Sequence, residues 1–300
     1  MITNLDPTSE LFLTNVNRIQ ERIAEASRQV SSGRKIAEPS DAPDQIDGLL
    51  QLRADRERNQ QIQANLSLEL TRVQTADGAL GSAIKLMDRA RTLATQGATA
   101  TATPTGRQAM ADEVQSLMDQ MVACSRTAVQ GRYIFSGDAE TSPPYQANAA
   151  SLNGVDQLVT AAATRQVQNP AGGSFVAGKT AQEIFDSPGG SSAFGALASL
   201  RASLLAGDPA AIAQASASVA TASIQLNSTV AFYGAVQGRI TDAQAFAERY
   251  DTQLQTQLSQ MQDADVAAAA LTLAQSNTQL QAAFQMRAAM PHKSLFDFIG

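Results

Sequence analysis

Ile212, Val219, Leu226, Tyr233, Ile240, Ala247, Leu254 and Met261 recur every seven residues. A seven-residue apolar repeat lays one stripe along a helix, and eight positions in register commit this segment to a single long one. Pro209 suits its first turn. A second repeat of the same period runs through Leu66, Val73, Leu80, Met87 and Ala94, with Ala76, Ala83 and Ala90 in the intermediate seam. A third, Met110, Val114, Leu117, Met121, Cys124 and Ala128, advances in steps of four and three. Helices patterned in this way need partner helices, because a stripe of this kind is not stable facing water.

Both ends of the chain repeat the pattern. Phe12, Val16, Ile19, Ile23, Ala26 and Val30 form a seam on a helix whose other faces carry Asn17, Arg18, Gln20, Glu21 and Arg22. Val266, Leu273, Leu280 and Phe284 mark a final helix that Pro291 ends. Neither seam has a partner nearby in the sequence. The simplest solution packs one terminal arm on the other, while the middle helices form a bundle. Breaks separate these parts. Ser31-Ser32-Gly33 stops the first helix, with Gly33 suited to a left-handed cap. Pro39 and Pro43 then forbid a continuous helix, and Asp41 is placed to cap the next one. From Gly131 the character changes. Tyr133-Ile134-Phe135 and Phe175-Val176-Ala177 read as short strands, among Pro143, Pro144, Asn153-Gly154, Pro170, Gly172-Gly173 and Pro188-Gly189-Gly190. A short helix is expected over Ala193–Ala206, ended by Gly207-Asp208.

The expected fold is mainly α: an elongated bundle of heptad-patterned helices with terminal helical arms and a small β-rich insertion at the far end. Its parts are an N-terminal arm and elbow (1–43), a first bundle half (44–130), the outer β-rich domain (131–190), a second bundle half (191–262) and a C-terminal arm and tail (263–300). With 5% aromatic residues and no Trp among 300, thin seams of small residues are expected rather than a thick aromatic core.

The chemistry of most enzymes is missing. The chain has one Cys and one His, His292, so disulfides, Cys-based metal sites and hydrolase triads are not expected. There is no GxxxxGK[ST] or GxGxxG phosphate loop. A net charge of −6 argues against general nucleic-acid binding, and no apolar run is long enough to insert in a membrane. Cys124 reads as a small buried hydrophobe, and Asp263 and Asp265 as the polar start of the last helix rather than metal ligands. The segment Met1–Pro7 has neither the basic nor the apolar region of a cleaved secretory signal. No cofactor is expected, and the protein reads as structural rather than catalytic.

Several ordered motifs resemble one family. Ser31-Ser32-Gly33-Arg34-Lys35-Ile36 followed by Pro39-Ser40-Asp41-Ala42-Pro43 resembles the N-terminal signature of bacterial flagellins and their junction relatives. Asn65-Leu66 through Thr75-Ala76-Asp77-Gly78-Ala79-Leu80 resembles the helix that follows, and Asp263-Ala264-Asp265 through Leu280-Gln281-Ala282 the C-terminal arm. Arg132-Tyr133-Ile134-Phe135-Ser136-Gly137 and the tail Ser294-Leu295-Phe296-Asp297-Phe298-Ile299 are similar to segments of the hook–filament junction branch rather than of filament flagellins. The resemblance implies a subunit exported unfolded through the flagellar type III apparatus and located outside the cell in the flagellum. Its arms would assemble as coiled coils with copies of itself in a ring or helical layer. Its implied partners are hook-associated protein 1, flagellin and an export chaperone. A filament-forming flagellin and an unrelated coiled-coil scaffold are the alternatives. Phe12, Val16, Ile19, Ile23 and Val30, with Leu273, Leu280 and Phe284, are the expected assembly seam. Ser32, Gly33, Ile36, Pro39 and Asp41 form the elbow motif, and Leu295, Phe296 and Phe298 are candidate tail contacts.

Overall fold

The computed structural model describes residues 7–99, 101–187 and 192–289. The elements run α1 (Pro7–Ser32), a 3-10 turn (Pro39–Asp41), α2 (Pro43–Gly97), α3 (Pro104–Ser125), β1 (Ala128–Val129), β2 (Arg132–Tyr133), β3 (Tyr145–Ala147), β4 (Val155–Gln157), β5 (Gln166–Gln168), β6 (Ser174–Val176), α4 (Ala181–Phe185), α5 (Ala193–Ala206), α6 (Pro209–Gln262) and α7 (Val266–Ala289). The fold is mainly α, and among the described residues the strands pair as three antiparallel hairpins, β1–β2, β3–β4 and β5–β6. The chain divides into two compact units, residues 1–58 with 251–300, and residues 59–250. Both long helices, α2 and α6, contribute to each.

In the unit formed by 59–250, the heptad rows become the core. Leu66, Val73, Leu80, Met87 and Ala94 on α2 and Ile212, Val219, Leu226, Tyr233, Ile240 and Ala247 on α6 are all buried. The Ala76, Ala83 and Ala90 row is buried with them, and small residues there let helices approach closely. Asn59 and Glu69 occupy the same α2 seam. The Asn59 amide donates to the Ala247 carbonyl of α6 at 2.8 Å, and Gln244 reaches Ser67, so the two helices run antiparallel. On α3 the buried face is broader than the single expected seam, because Ala111, Met118 and Val122 are buried beside Val114, Leu117 and Met121. Thr103 caps α3 through the Gly106 N–H, and Gly207, at φ 69°, ends α5 in the left-handed conformation.

Seams of small residues do not account for the whole core. Where the hairpins meet the helices, Tyr145, Phe194, Phe185, Phe135 and Tyr233 form a chain of ring contacts with centroids 4.9 to 6.4 Å apart. The strands are too short to bury alternating faces by themselves. Packing and side-chain bonds hold this region instead. Arg132-Tyr133-Ile134-Phe135-Ser136-Gly137 is central to it. Ile134 and Phe135 are buried, the Phe135 carbonyl accepts from the Ala181 N–H at 2.7 Å, and the Ser136 hydroxyl donates to the Ser142 carbonyl at 2.8 Å. Gly137 has φ 60°, and a Cβ there would lie 2.6 Å from the Ala163 carbonyl oxygen, so only glycine fits.

An ionic cluster ties the same region to α2. Arg165 bonds Glu140 at 2.9 Å and the Ile134 carbonyl at 2.9 Å. Its Nε lies 3.5 Å from Glu69, which also pairs with Arg72. Arg132 completes the group at 3.0 Å from Glu140. Burial alone pushes the Glu140 carboxyl up. Hydrogen bonds from Arg132 and Arg165, with the charges of Arg165 and Arg72, outweigh it and hold the group below its ordinary value.

Gly137→Ala should lower the unfolding free energy by about 2 kcal/mol or more, from the left-handed backbone and the carbonyl clash together. Urea titration of the full chain measures this. Glu140→Gln should cost about 1–3 kcal/mol at neutral pH. Because the folded carboxyl titrates below its ordinary value of 4.5, its stabilising contribution is present above that pH and is lost as pH falls through the folded value. The stability gap between wild type and Glu140→Gln should therefore close in acid, as urea titrations across pH 3–7 would read.

Candidate assembly interface

The unit formed by 1–58 and 251–300 is built on the pairing of α1 with α7. The helices are antiparallel. At one end Arg287 donates to the Ser9 hydroxyl at 2.9 Å and lies over the Phe12 ring. At the other end the Ala264 N–H donates to the Gly33 carbonyl at 2.9 Å. On α1, Val16, Ile19 and Ala26 are buried, and Phe12, Ile23 and Val30 half-buried. On α7 the covered row is Ala269, Leu273, Ser276, Leu280, Ala283 and Arg287, in steps of four and three. Leu273 and Leu280 lie in it, half-buried. Phe284 stands at its edge, 51% exposed, its ring 6.3 Å from Phe12 and edge-on to it. Val266, at the start of the helix, is exposed. Ala269, Ser276 and Ala283 carry no strong apolar signal in sequence, yet their small size lets α1 approach.

The elbow is a backbone exchange between the two breaks in the chain. Arg34 bridges Asp263 in antiparallel fashion, and the N–H groups of Lys35 and Ile36 donate to the Gln262 carbonyl at 2.7 and 3.4 Å. The polar groups left over at the end of α1 are thus met by those between α6 and α7. The Gln262 side chain accepts from Arg53 at 2.8 Å. Gly33 has φ 67°, as its place after Ser32 predicts, and Ser32 bonds the Arg28 carbonyl and the Arg34 N–H. Ile36 is buried.

Asp41 behaves differently from the expectation that it caps the next helix. It closes the 3-10 turn that Pro39 opens, and its carboxylate turns back to accept from the Ala37 and Glu38 N–H groups at 2.9 and 2.8 Å. Those bonds, Glu38 first, hold its carboxyl below the ordinary value. Asp265 does cap its helix, accepting from the Ala268 N–H at 3.0 Å, and Asp263 accepts from the Ser259 hydroxyl. Cys124 is half-buried in α3, and burial pushes its thiol up, as suits a small packing residue. Leu295, Phe296 and Phe298 lie outside the described residues, as does His292.

Two family models match the chain: the bacterial flagellin N-terminal helical region over residues 8–140, and the bacterial flagellin C-terminal helical region over 216–299. Together they take in more than half of its 300 residues. A flagellin from Clostridium tyrobutyricum is 30% identical over 127 residues, which is 42% of this chain and 34% of that protein. Flagellar hook-associated protein 3 of Escherichia coli (strain K12) is 25% identical over 185 residues, 60% of this chain and 56% of that protein. The chain thus spans about a third of the one relative and about half of the other. A solved structure assigned to a flagellar hook-associated protein from Vibrio parahaemolyticus superposes with a TM-score of 0.65 at 19% identity, covering 74% of this chain and 100% of that one. At that identity the likeness is one of fold.

Gly33→Val tests the elbow. No side chain crowds the position, so the cost is that of the left-handed backbone, about 1–2 kcal/mol. Helical circular dichroism on heating should show the α1–α7 arm melting earlier, with the core of the 59–250 unit unchanged.

Proposed function

The chain belongs to the bacterial flagellin family, and on that premise we propose that it is a structural adaptor joining the flagellar hook to the flagellin filament. The observation that carries this reading is the match to hook-associated protein 3, which takes in 60% of the chain against 42% for the flagellin. The Arg132–Gly137 segment supports it by its resemblance to the hook–filament junction branch. Filament flagellin is the second reading, favoured by the higher identity of that shorter match.

In the mechanism we propose, a chaperone delivers the subunit to the flagellar export apparatus, through which it leaves the cell unfolded. Outside, α1 and α7 pair through Phe12, Val16, Ile19, Ile23 and Val30 against Leu273, Leu280 and Phe284. The paired arm leaves Leu11, Leu271 and Met286 exposed, each by 60% or more. Those outer apolar groups provide surface for neighbouring copies. Burying each fully is worth about 1.5–3 kcal/mol, which is enough to make assembly cooperative across a layer. Hook-associated protein 1 lies on one side of that layer and flagellin on the other. The role is structural, with no catalytic step.

Deletion of the gene tests the reading. Flagellin should be made and exported but lost to the medium as monomer, leaving bare hooks. Disappearance of flagellin itself would make this chain the filament subunit. Ile19→Asp should block assembly onto hooks, because it puts a charge into the α1–α7 seam, while near-UV dichroism of the aromatic cluster stays native. Normal assembly by that variant would remove the arm from the mechanism.

A further inference from the structure

The loop at the tip of β3–β4 carries a leucine that its turn chemistry does not need. The Asn148 side chain accepts from the Ala150 N–H at 3.0 Å and donates to Asp156 at 2.7 Å. The Ser151 hydroxyl donates to the same carboxylate. Those bonds, Ser151 first, hold the Asp156 carboxyl below its ordinary value. Gly154, at φ 73°, closes the loop against Met118 of α3. Leu152 takes no part in this frame. At 96% it is the most exposed large apolar side chain among the described residues. A groove of about 280 Å³ opens elsewhere on the same unit, between α2 and β5. Ile62, Leu68 and Val167 make it apolar, and Asn65 and Gln168 add exposed amides. Arg72 and Arg165 line it with one carboxylate, Glu69, which leaves one positive charge in excess. Its size suits a single large side chain rather than a drug-sized ligand. β5 bonds β6 at Arg165, Val167 and Asn169, so the backbone groups of Gln166 and Gln168 face away from β6. Both residues line the groove.

We propose that the β3–β4 tip of one copy seats Leu152 in the α2–β5 groove of a second copy, against Ile62, Leu68 and Val167. The tip is uncharged from Asn148 to Gly154, which suits the amides of Asn65 and Gln168. Asp156, at the base of the loop, meets the excess positive charge of Arg72 and Arg165. The frame of the loop holds Leu152 away from its own chain, so the groove is filled from outside. Tip and groove are different surfaces of one chain. The contact is therefore head-to-tail and repeats from copy to copy, as a ring or helical layer requires. This inference rests on the loop and the groove and does not depend on the junction role.

The test mixes two purified variants of the full chain, both with Cys124→Ser. One carries Ala150→Cys beside the leucine, the other Asn65→Cys in the groove, and both positions are exposed. A short bismaleimide should join the two kinds of copy to each other and neither kind to itself. Leu152→Asp in the first variant should lower the yield at least about fivefold. At 96% exposure that side chain has no contact within its own chain to lose, so the fold is kept. Gln168→Trp in the second variant, which fills the groove, should lower the yield as much. Thr221→Cys on α6, used in place of Asn65→Cys, should link no better than the Leu152→Asp mixture does. The absence of mixed dimers would overturn the proposal. So would an Ala150→Cys variant that links to itself, or a yield that Leu152→Asp leaves unchanged. The assay reads purified protein, so its failure leaves the junction reading to stand or fall on the deletion experiment.

Discussion

The apolar stripe on α1 has nothing near it in sequence to cover it, and the helix that does cover it, α7, lies at the other end of the chain. Everything in the terminal unit follows from that pairing. The antiparallel contact brings Ser9 to Arg287 and Gly33 to Ala264, and these two ends fix the register. Two chain breaks meet at the elbow, where each supplies backbone partners that the other lacks. A stripe of a few buried and half-buried side chains, packed partly against Ala and Ser, is a modest source of stability.

The other unit is held by a different mixture. Its helices close over heptad rows in the manner of a coiled coil, and its hairpins depend on packing beyond themselves. The aromatic chain from Tyr145 to Tyr233 and the Arg165–Glu140–Arg72–Glu69 cluster both join hairpin residues to helices. Gly137 sits against the Ala163 carbonyl. The motif that resembles the junction branch thus packs the hairpin region, with Ile134 and Phe135 buried.

The helical elements were legible because large apolar residues at seven-residue spacing leave one physical option; α2, α6 and α1 follow it closely, while the α3 row stops short of Ala128, which stands exposed in β1. Proline and glycine marked the starts of α2 and α6 and the ends of α1 and α5. The covered face of α7 was less legible: Ala269, Ser276 and Ala283 fill it by being small, whereas Val266, a stronger apolar signal, points to water. Strands of two or three residues carry no usable alternation, so only their neighbourhood could be read. The aromatic chain and the ionic cluster were hidden for a related reason, since their members are scattered from Glu69 to Tyr233 without any period. Asp41 was recognised as a cap, but the direction of its bonds depends on the 3-10 turn that Pro39 sets up.

The central claim is positional: a subunit of this family that joins two tubes occupies the boundary between them and nowhere else. Immunogold labelling of intact flagella with antibody against the 131–187 segment measures this directly. A single narrow band between hook and filament is the predicted result. Label distributed along the filament would contradict the account and make the chain a filament subunit.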